Sequence, residues 1–499
     1  MGVVAAVAGA GLGHLVAGLT RPDASPVLAV GSVVVDSAPT PLKTWAIRTF
    51  GTQDKLVLVS SVALGALLLA ALAGLLVRRS LAAGAVGLAA LAALATGAAL
   101  TRPTATAGSV LPGLVTALTG VLALVSLHRQ FRATPRRRPD APASTGATRR
   151  TVLGSGVLAA GIAALGLAAG AAGQRLTSAA QQVAGTLPLP RRRLPPLPAG
   201  LERSVPGVTP LRTPTARFYR VDTALTVPVV DPADWELVID GDVERTVRLS
   251  YQDILDMPLV ERDITLTCVS NEVGGPYAGG ARWTGVPVRD LLALASPRPG
   301  NDQVLSTSVD GYTSSTPLAA LTDEREALLA VGMNGQPLPR VNGYPARLVT
   351  PGLYGYVGAT KWLTRLTVTT YRQRRAYWTV RGWATQGPIK PSARIDTPEP
   401  LVSIAPGRVA IAGTAWAQRQ GVRGVQVQID DGPWRPARLG PEVNIDYWRQ
   451  WWFPWDATTG QHRLRARCVY GASQEQTATP APPFPDGSSG LHEIVVVVS

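Results

Sequence analysis

The chain has 499 residues and a formal charge of +15, with 46% hydrophobic but only 16% charged residues. Soluble domains carry roughly 25% charge, so this deficit and a positive mean hydropathy point to membrane-embedded segments. Two cysteines exclude a disulfide framework, a four-cysteine zinc site and a cysteine-ligated iron–sulfur cluster.

Residues 1–172 hold 14 basic and 4 acidic residues, two-thirds of the net charge, and no Glu; the first is Glu202. Five apolar runs, 2–19, 55–77, 81–100, 106–127 and 152–172, free of charge apart from Lys55 at one end, are each long enough to cross a ~30 Å hydrocarbon core. The segment 27–35 is too short to do so. The Arg-rich stretch 129–150 and the pair Arg78-Arg79 both face the cytoplasm under the positive-inside rule, which puts everything after residue 172 outside. These arginines flank spans and lack interleaved aromatics, which speaks against nucleic-acid binding. Arg149-Arg150 before the last run resembles an internal twin-arginine export signal. His14 and His128 fall near opposite faces and cannot share a haem, so no haem is expected. The membrane part is expected to be an anchor or docking domain: four transmembrane helices in 1–128, a basic cytoplasmic loop at 129–150 and a fifth helix at 151–172.

Residues 173–212 form a Pro-rich linker, extended and stiff. Strands are expected at 235–241, 264–268 and 363–369, and helices from Ser250 and over 288–295, an α+β pattern. From about 400 to 499 short strands separated by Gly, Pro and Asp turns predict a β-sandwich holding Trp448, Trp451, Trp452 and Trp455. Only His462 and His492 lie in this exported part, which argues against a His-dependent hydrolase or zinc enzyme. Gly274–Gly280 matches neither a P-loop nor a dinucleotide fingerprint. Cys268 ends a strand before a polar, Gly-containing turn, where a thiolate would be partly exposed at a cleft; a lone cysteine is otherwise a small buried hydrophobe, the better reading for Cys468. The chain has four lysines, and only Lys361 and Lys390 follow residue 172. A compact cation in a Gly-rich stretch suits a phosphate or polar ligand.

Thr267-Cys-Val-Ser-Asn271, Trp283-Thr-Gly-Val-Pro, Asn342-Gly-Tyr-Pro-Ala-Arg347 and Lys361-Trp-Leu, in this order and spacing, resemble the sulfite oxidase family of molybdenum enzymes. The likeness runs over about 213–499, with 213–400 as a molybdopterin-binding oxidoreductase domain and 401–499 as an immunoglobulin-like dimerisation domain. The membrane part resembles an anchored actinobacterial branch of that family. The resemblance implies a molybdenum held by one pyranopterin dithiolene and by Cys268. It implies cofactor contacts from Tyr219, Arg220, Thr307, Asn342, Arg347, Thr360 and Lys361. Arg220 and Arg449 match two arginines that gather around a substrate oxyanion, and Trp383 falls where an active-site tyrosine is expected. A third arginine is replaced by Glu272-Val273, which weakens the case for sulfite, so S-oxide or N-oxide reduction stands beside sulfite-type oxidation as the expected reaction. The expected enzyme is a multi-pass protein of the cytoplasmic membrane that performs oxygen-atom transfer on a small molecule at the outer face. Its electron partner would be a carrier protein or a quinone, and the family resemblance adds a homodimer. The competing expectation is a cofactor-free, membrane-tethered binding protein that uses the Trp-rich sandwich.

Overall fold

The computed structural model describes residues 1–50, 53–133, 161 and 186–499, and the chain divides into two units. The first comprises Met1–Gln182 and Thr223–Pro228; the second comprises Val183–Asp222 and Val229–Ser499. Most of the basic loop, the twin-arginine-like start and the fifth span lie outside the described residues.

In the first unit the helices are α1 (Gly2–Leu19), α2 (Pro26–Ser37), α3 (Thr40–Phe50), α4 (Asp54–Leu76), α5 (Leu81–Leu100) and α6 (Leu111–Ala133). Four apolar stretches among them, Gly2–Leu19, Lys55–Leu76, Leu81–Leu100 and Ala107–Gln130, are long enough to cross a membrane. Small residues let these helices approach closely. A Cβ on Gly9 of α1 would stand 2.5 Å from the Thr116 carbonyl oxygen of α6. The opposite side of α4 presents Leu56, Leu64, Leu68 and Leu72, each more than half exposed. An apolar face of this kind, left uncovered, is what lipid would solvate. The segment 27–35, too short to cross, is most of α2.

The described part of the stretch expected to be an extended, stiff linker, residues 186–212, is anchored along the second unit. The Arg191 N–H donates to the Leu259 carbonyl at 2.8 Å, Glu261 N–H donates to the Arg192 carbonyl at 3.1 Å, and Leu211 is buried. Prolines stiffen this segment, but its leucines give it somewhere to go.

The first sheet contains β1 (Glu236–Gly241), β2 (Val247–Ser250), β5 (Gln303–Ser308), β6 (Thr313–Pro317) and β10 (Leu363–Thr369) in the order β2-β1-β10-β5-β6, with β1 and β10 parallel. The second contains β3 (Val260–Thr267), β4 (Ala278–Pro287), β7 (Leu328–Met333), β8 (Gln336–Pro337) and β9 (Arg347–Val349), all antiparallel, with β9 pairing to β7. Ser250 caps the helix α7 (Tyr251–Asp256) through a reciprocal box with Asp253. Helix α8 (Val288–Ala295) buries Val288, Leu291, Leu292 and Ala295, its i, i+3, i+4, i+7 stripe, against both sheets.

The C-terminal region is β-rich. One sheet runs β11 (Ser392–Thr397), β13 (Gly407–Trp416), β17 (Arg449–Ala457) and β16 (Arg438–Leu439). The other runs β12 (Ser403–Ile404), β20 (His492–Val498), β18 (Gly460–Tyr470), β14 (Val422–Ile429) and β15 (Arg435–Pro436), with β19 (Gln474–Glu475) on β18. Both sheets contribute to one core containing Ile411, Val425, Trp451, Trp455, Leu464 and Cys468. Trp448 and Trp451 are 1% and 0% exposed. Burial of these indoles removes them from any partner-binding surface, and with them the main support for the cofactor-free binding protein. Cys468 is core filler, as expected.

Candidate active site

Strand β3 delivers Cys268 to the start of a loop that its own polar groups close. The Cys268 N–H donates to the Tyr277 carbonyl at 2.9 Å, and the Asn271 N–H donates to the Cys268 carbonyl at 3.1 Å. Asn271 Oδ1 then accepts the Tyr277 N–H at 2.7 Å. Cys268 is 8% exposed, so the expected partial exposure is not observed. Burial pushes its thiol pKa up, while hydrogen bonds from the Ser270 backbone and hydroxyl, and the charge of Lys361, work the other way. Burial outweighs the donors and the cation, so the thiol keeps its proton until a metal replaces it.

Two cations lie in this interior. Arg347, at the start of β9, is 4% exposed; its guanidinium donates to the Asn342, Ala359 and Leu348 carbonyls and lies 5.1 Å from the Trp283 ring centre. No carboxylate pairs with it among the described residues, and burial brings its pKa down to about 10. Lys361 Nζ donates to Asp222 Oδ2 at 3.0 Å and to the Val341 carbonyl at 2.9 Å. Burial lowers its pKa to about 8, opposed by Asp222. Nearby segments hold buried polar atoms without a hydrogen-bond partner among the described residues: Thr267 Oγ1, Ser308 Oγ, Asn342 Oδ1 and Thr350 Oγ1. Buried polar groups are normally satisfied. An uncompensated guanidinium and a row of unmet hydroxyl and amide oxygens fit a polar, anionic group such as a pterin phosphate.

Phenols complete the surroundings. Tyr219 stacks on Phe218 with ring centres 5.2 Å apart and lies 6.3 Å from Tyr277. Tyr312 sits at the tip of the β5–β6 hairpin. Burial holds the Tyr219, Tyr312 and Tyr354 hydroxyls protonated well above the usual range, and Cys268 adds to the effect on all three. Neutral phenols near a cysteine can donate hydrogen bonds to an oxygen atom without supplying charge.

Some expected site residues are brought together and others are not. Cys268, Tyr219, Arg347, Lys361 and Asn342 converge, and the Thr360 hydroxyl shares a 2.7 Å hydrogen bond with Ser306 in the same interior. Arg220 is near but exposed, with its Nε on Asp222 at 2.9 Å. Thr307 alternates to the strand face opposite Ser306 and Ser308, which are the buried hydroxyls of β5. Arg449 donates to Glu442 at 3.0 Å and to the Gly440 and Val422 carbonyls, so its hydrogen bonds all lie in the C-terminal region. Trp383 packs on Trp378, Tyr356 and Phe484. Glu272 is exposed. Sequence reasoning missed Asp222 and Tyr312. Asp222 stands two residues beyond Arg220 and gives no local signal; the Gly311-Tyr312 pair at a hairpin tip was a visible cue.

Comparison with known proteins bears on this site. Residues 224–378 match the family described as the oxidoreductase molybdopterin binding domain. Human (Homo sapiens) mitochondrial sulfite oxidase is 31% identical over 302 residues, which are 51% of this chain and 55% of that protein. Chicken (Gallus gallus) sulfite oxidase is 30% identical over 291 residues, covering 49% and 62% of the two chains. The chain therefore spans little more than half the length of these relatives. The solved sulfane dehydrogenase SoxCD from Paracoccus pantotrophus superposes with a TM-score of 0.51 over 58% of this chain and 83% of its own, at 21% identity, a likeness of fold.

Proposed function

We propose that this chain, which belongs to the sulfite oxidase family of molybdopterin-dependent oxidoreductases, is a membrane-anchored enzyme that moves an oxygen atom to or from a small molecule outside the cytoplasmic membrane. The observation that carries the reading is the buried Arg347, with no carboxylate partner among the described residues, in the same interior as Cys268 and Lys361. Cys268 would hold the metal through its thiolate, a soft ligand suited to a redox-active centre. Arg347, Lys361, Asn342 and Thr360 would hold the pterin and its phosphate through charge-assisted and neutral hydrogen bonds. Bound there, the molybdenum cofactor supplies two-electron oxygen-atom transfer.

The chain's own residues do the rest. The Ser270 amide and hydroxyl orient the sulfur. Asp222 keeps Lys361 charged and fixes its direction. Tyr219, neutral at any physiological pH, offers a donor to the transferring oxygen; Tyr312 does so once its hydroxyl gives up the long 3.4 Å bond to the Tyr356 carbonyl, and the buried walls of Phe218 and Trp283 exclude bulk water. Asp222, shared with Lys361, and Glu442 hold the two arginines assigned to an oxyanion in ion pairs. That arrangement supports a neutral S-oxide or N-oxide over the sulfite dianion. The reading includes a fifth span at 151–172 used for twin-arginine export, an immunoglobulin-like C-terminal domain at 401–499 that pairs two copies, and electron exchange with a carrier protein or quinone.

Metal and pterin analysis of the purified full chain tests this. We expect about one molybdenum per chain, and Cys268→Ser is expected to lose metal and activity together. Full activity in metal-free protein ends the proposal. A screen of sulfite, methionine sulfoxide and trimethylamine N-oxide is expected to favour the two oxides.

A further inference from the structure

Between Glu326 and Asp396 the chain has ten cations and no acidic residue. Many of these charges are matched from elsewhere: Lys361 by Asp222, Arg365 by Asp240, Lys390 by Asp486 and Arg394 by Asp396. Arg372, Arg374 and Arg375 differ. They are exposed on the turn after β10, and none has an ion pair among the described residues. Asp302, the carboxylate that meets this turn, accepts the Tyr371 backbone N–H at 2.9 Å.

The turn is fastened to the hairpin that carries Tyr312. Gln303 Nε2 donates to the Arg374 carbonyl at 3.3 Å, and the Tyr377 N–H donates to Thr313 Oγ1 at 3.0 Å. The Tyr377 ring lies 5.7 Å from that of Tyr312 and 5.0 Å from that of Trp378, and the Arg381 guanidinium covers it at 3.5 Å. Contiguous rings thus run from Tyr312, whose hydroxyl feels the charge of Cys268, to half-exposed side chains next to three unmatched positive charges. Electron tunnelling weakens with distance and with gaps, so a packed path opening at a charged surface is a favourable exit.

We propose that the turn Arg372–Arg375 is the docking surface for an acidic protein that carries one electron at a time to or from the site. The inference rests on the functional reading above. When the substrate is oxidised, its two electrons leave in two steps, and each carrier contact reduces one oxidised carrier by one electron. When the substrate is reduced, the carrier is the donor and the same steps run in reverse. An anionic lipid surface could use the same charges, but it would leave the ring path without a purpose.

The test uses the full chain in phosphatidylcholine nanodiscs, with molybdenum content measured first. Dithionite-reduced protein is mixed with ferricyanide, a trianion that takes one electron, or with p-benzoquinone, a neutral acceptor that takes two electrons and two protons. The wild-type ferricyanide rate is expected to fall with rising salt. The triple substitution Arg372→Glu, Arg374→Glu, Arg375→Glu is expected to lower it roughly tenfold or more at low salt and to remove the salt dependence. The corresponding Arg→Gln triple is expected between the two, and benzoquinone is expected to oxidise all three at one rate. Equal ferricyanide rates would overturn the inference. So would an equal loss with benzoquinone, or an effect confined to phosphatidylglycerol nanodiscs, which would assign the turn to lipid. Protein without molybdenum fails at the first measurement and counts against the functional reading instead.

Discussion

At the scale of single residues, two buried cations and one thiol define the chemistry, and each owes its state to burial. Arg347 has three carbonyl partners and no counter-charge among the described residues. An anionic ligand there would relieve that imbalance and stabilise the fold by mass action. Loading with cofactor is therefore expected to raise the melting temperature of the wild type, and Arg347→Met is expected to remove most of that rise, as thermal unfolding of loaded and metal-free protein would reveal. The motifs around Cys268, Asn342, Arg347 and Lys361 were legible because each is a contiguous run. Asp222 was not, because a chain crossing brings it in, and Tyr312 showed only as a hairpin-tip residue whose partner the sequence does not name. Trp383 was the aromatic expected at the substrate, whereas the phenol held near the cysteine is Tyr312, joined to Trp383 through the rings of Tyr377 and Trp378.

Individual elements followed their sequence patterns closely where one face is buried. The expected strands and helices of the oxidoreductase region appear within a few residues, since alternation and a capping box are local signals. The parallel pairing of β1 with β10 was not legible, since more than a hundred residues separate the partners. His492 on β20 adds a pH dependence to the C-terminal sheets. Its Nδ1 accepts the Ile395 N–H at 2.9 Å, and burial, aided by Arg394 and opposed by Asp396, brings its pKa to about 4. The unfolded chain binds a proton there near pH 6.5 and the folded chain does not. Stability is thus fully present above about pH 6.5 and is lost as pH falls toward 4, by about 3 kcal/mol. His492→Gln is expected to flatten this part of a denaturation-versus-pH curve. In the membrane unit, Gly9→Leu places a side chain against the Thr116 carbonyl and is expected to lower thermal stability in detergent.

Over the whole molecule, the C-terminal region belongs to the site's support. Trp448 N–H donates to Thr265 Oγ1 at 2.8 Å, Thr265 N–H donates to the Asp446 carbonyl at 3.0 Å, and Asn444 donates to the Asp263 carbonyl at 3.0 Å. These bonds line one edge of β3 just before Cys268. A chain ending at residue 400 is therefore expected to retain no molybdenum even when expressed at wild-type levels, as metal analysis would show. The C-terminal core begins before the boundary expected near residue 400, since Ala393 and Ile395 on β11 belong to it, and the hydrogen bonds above tie that region to β3.

The run of ten cations without a carboxylate also sets an order of events during synthesis. As it leaves the ribosome, Asp222 and Asp240 have already been made, whereas Asp396 and Asp486 have not. Lys361 and Arg365 can find their counter-charges at once, while Lys390 and Arg394 must wait for later residues.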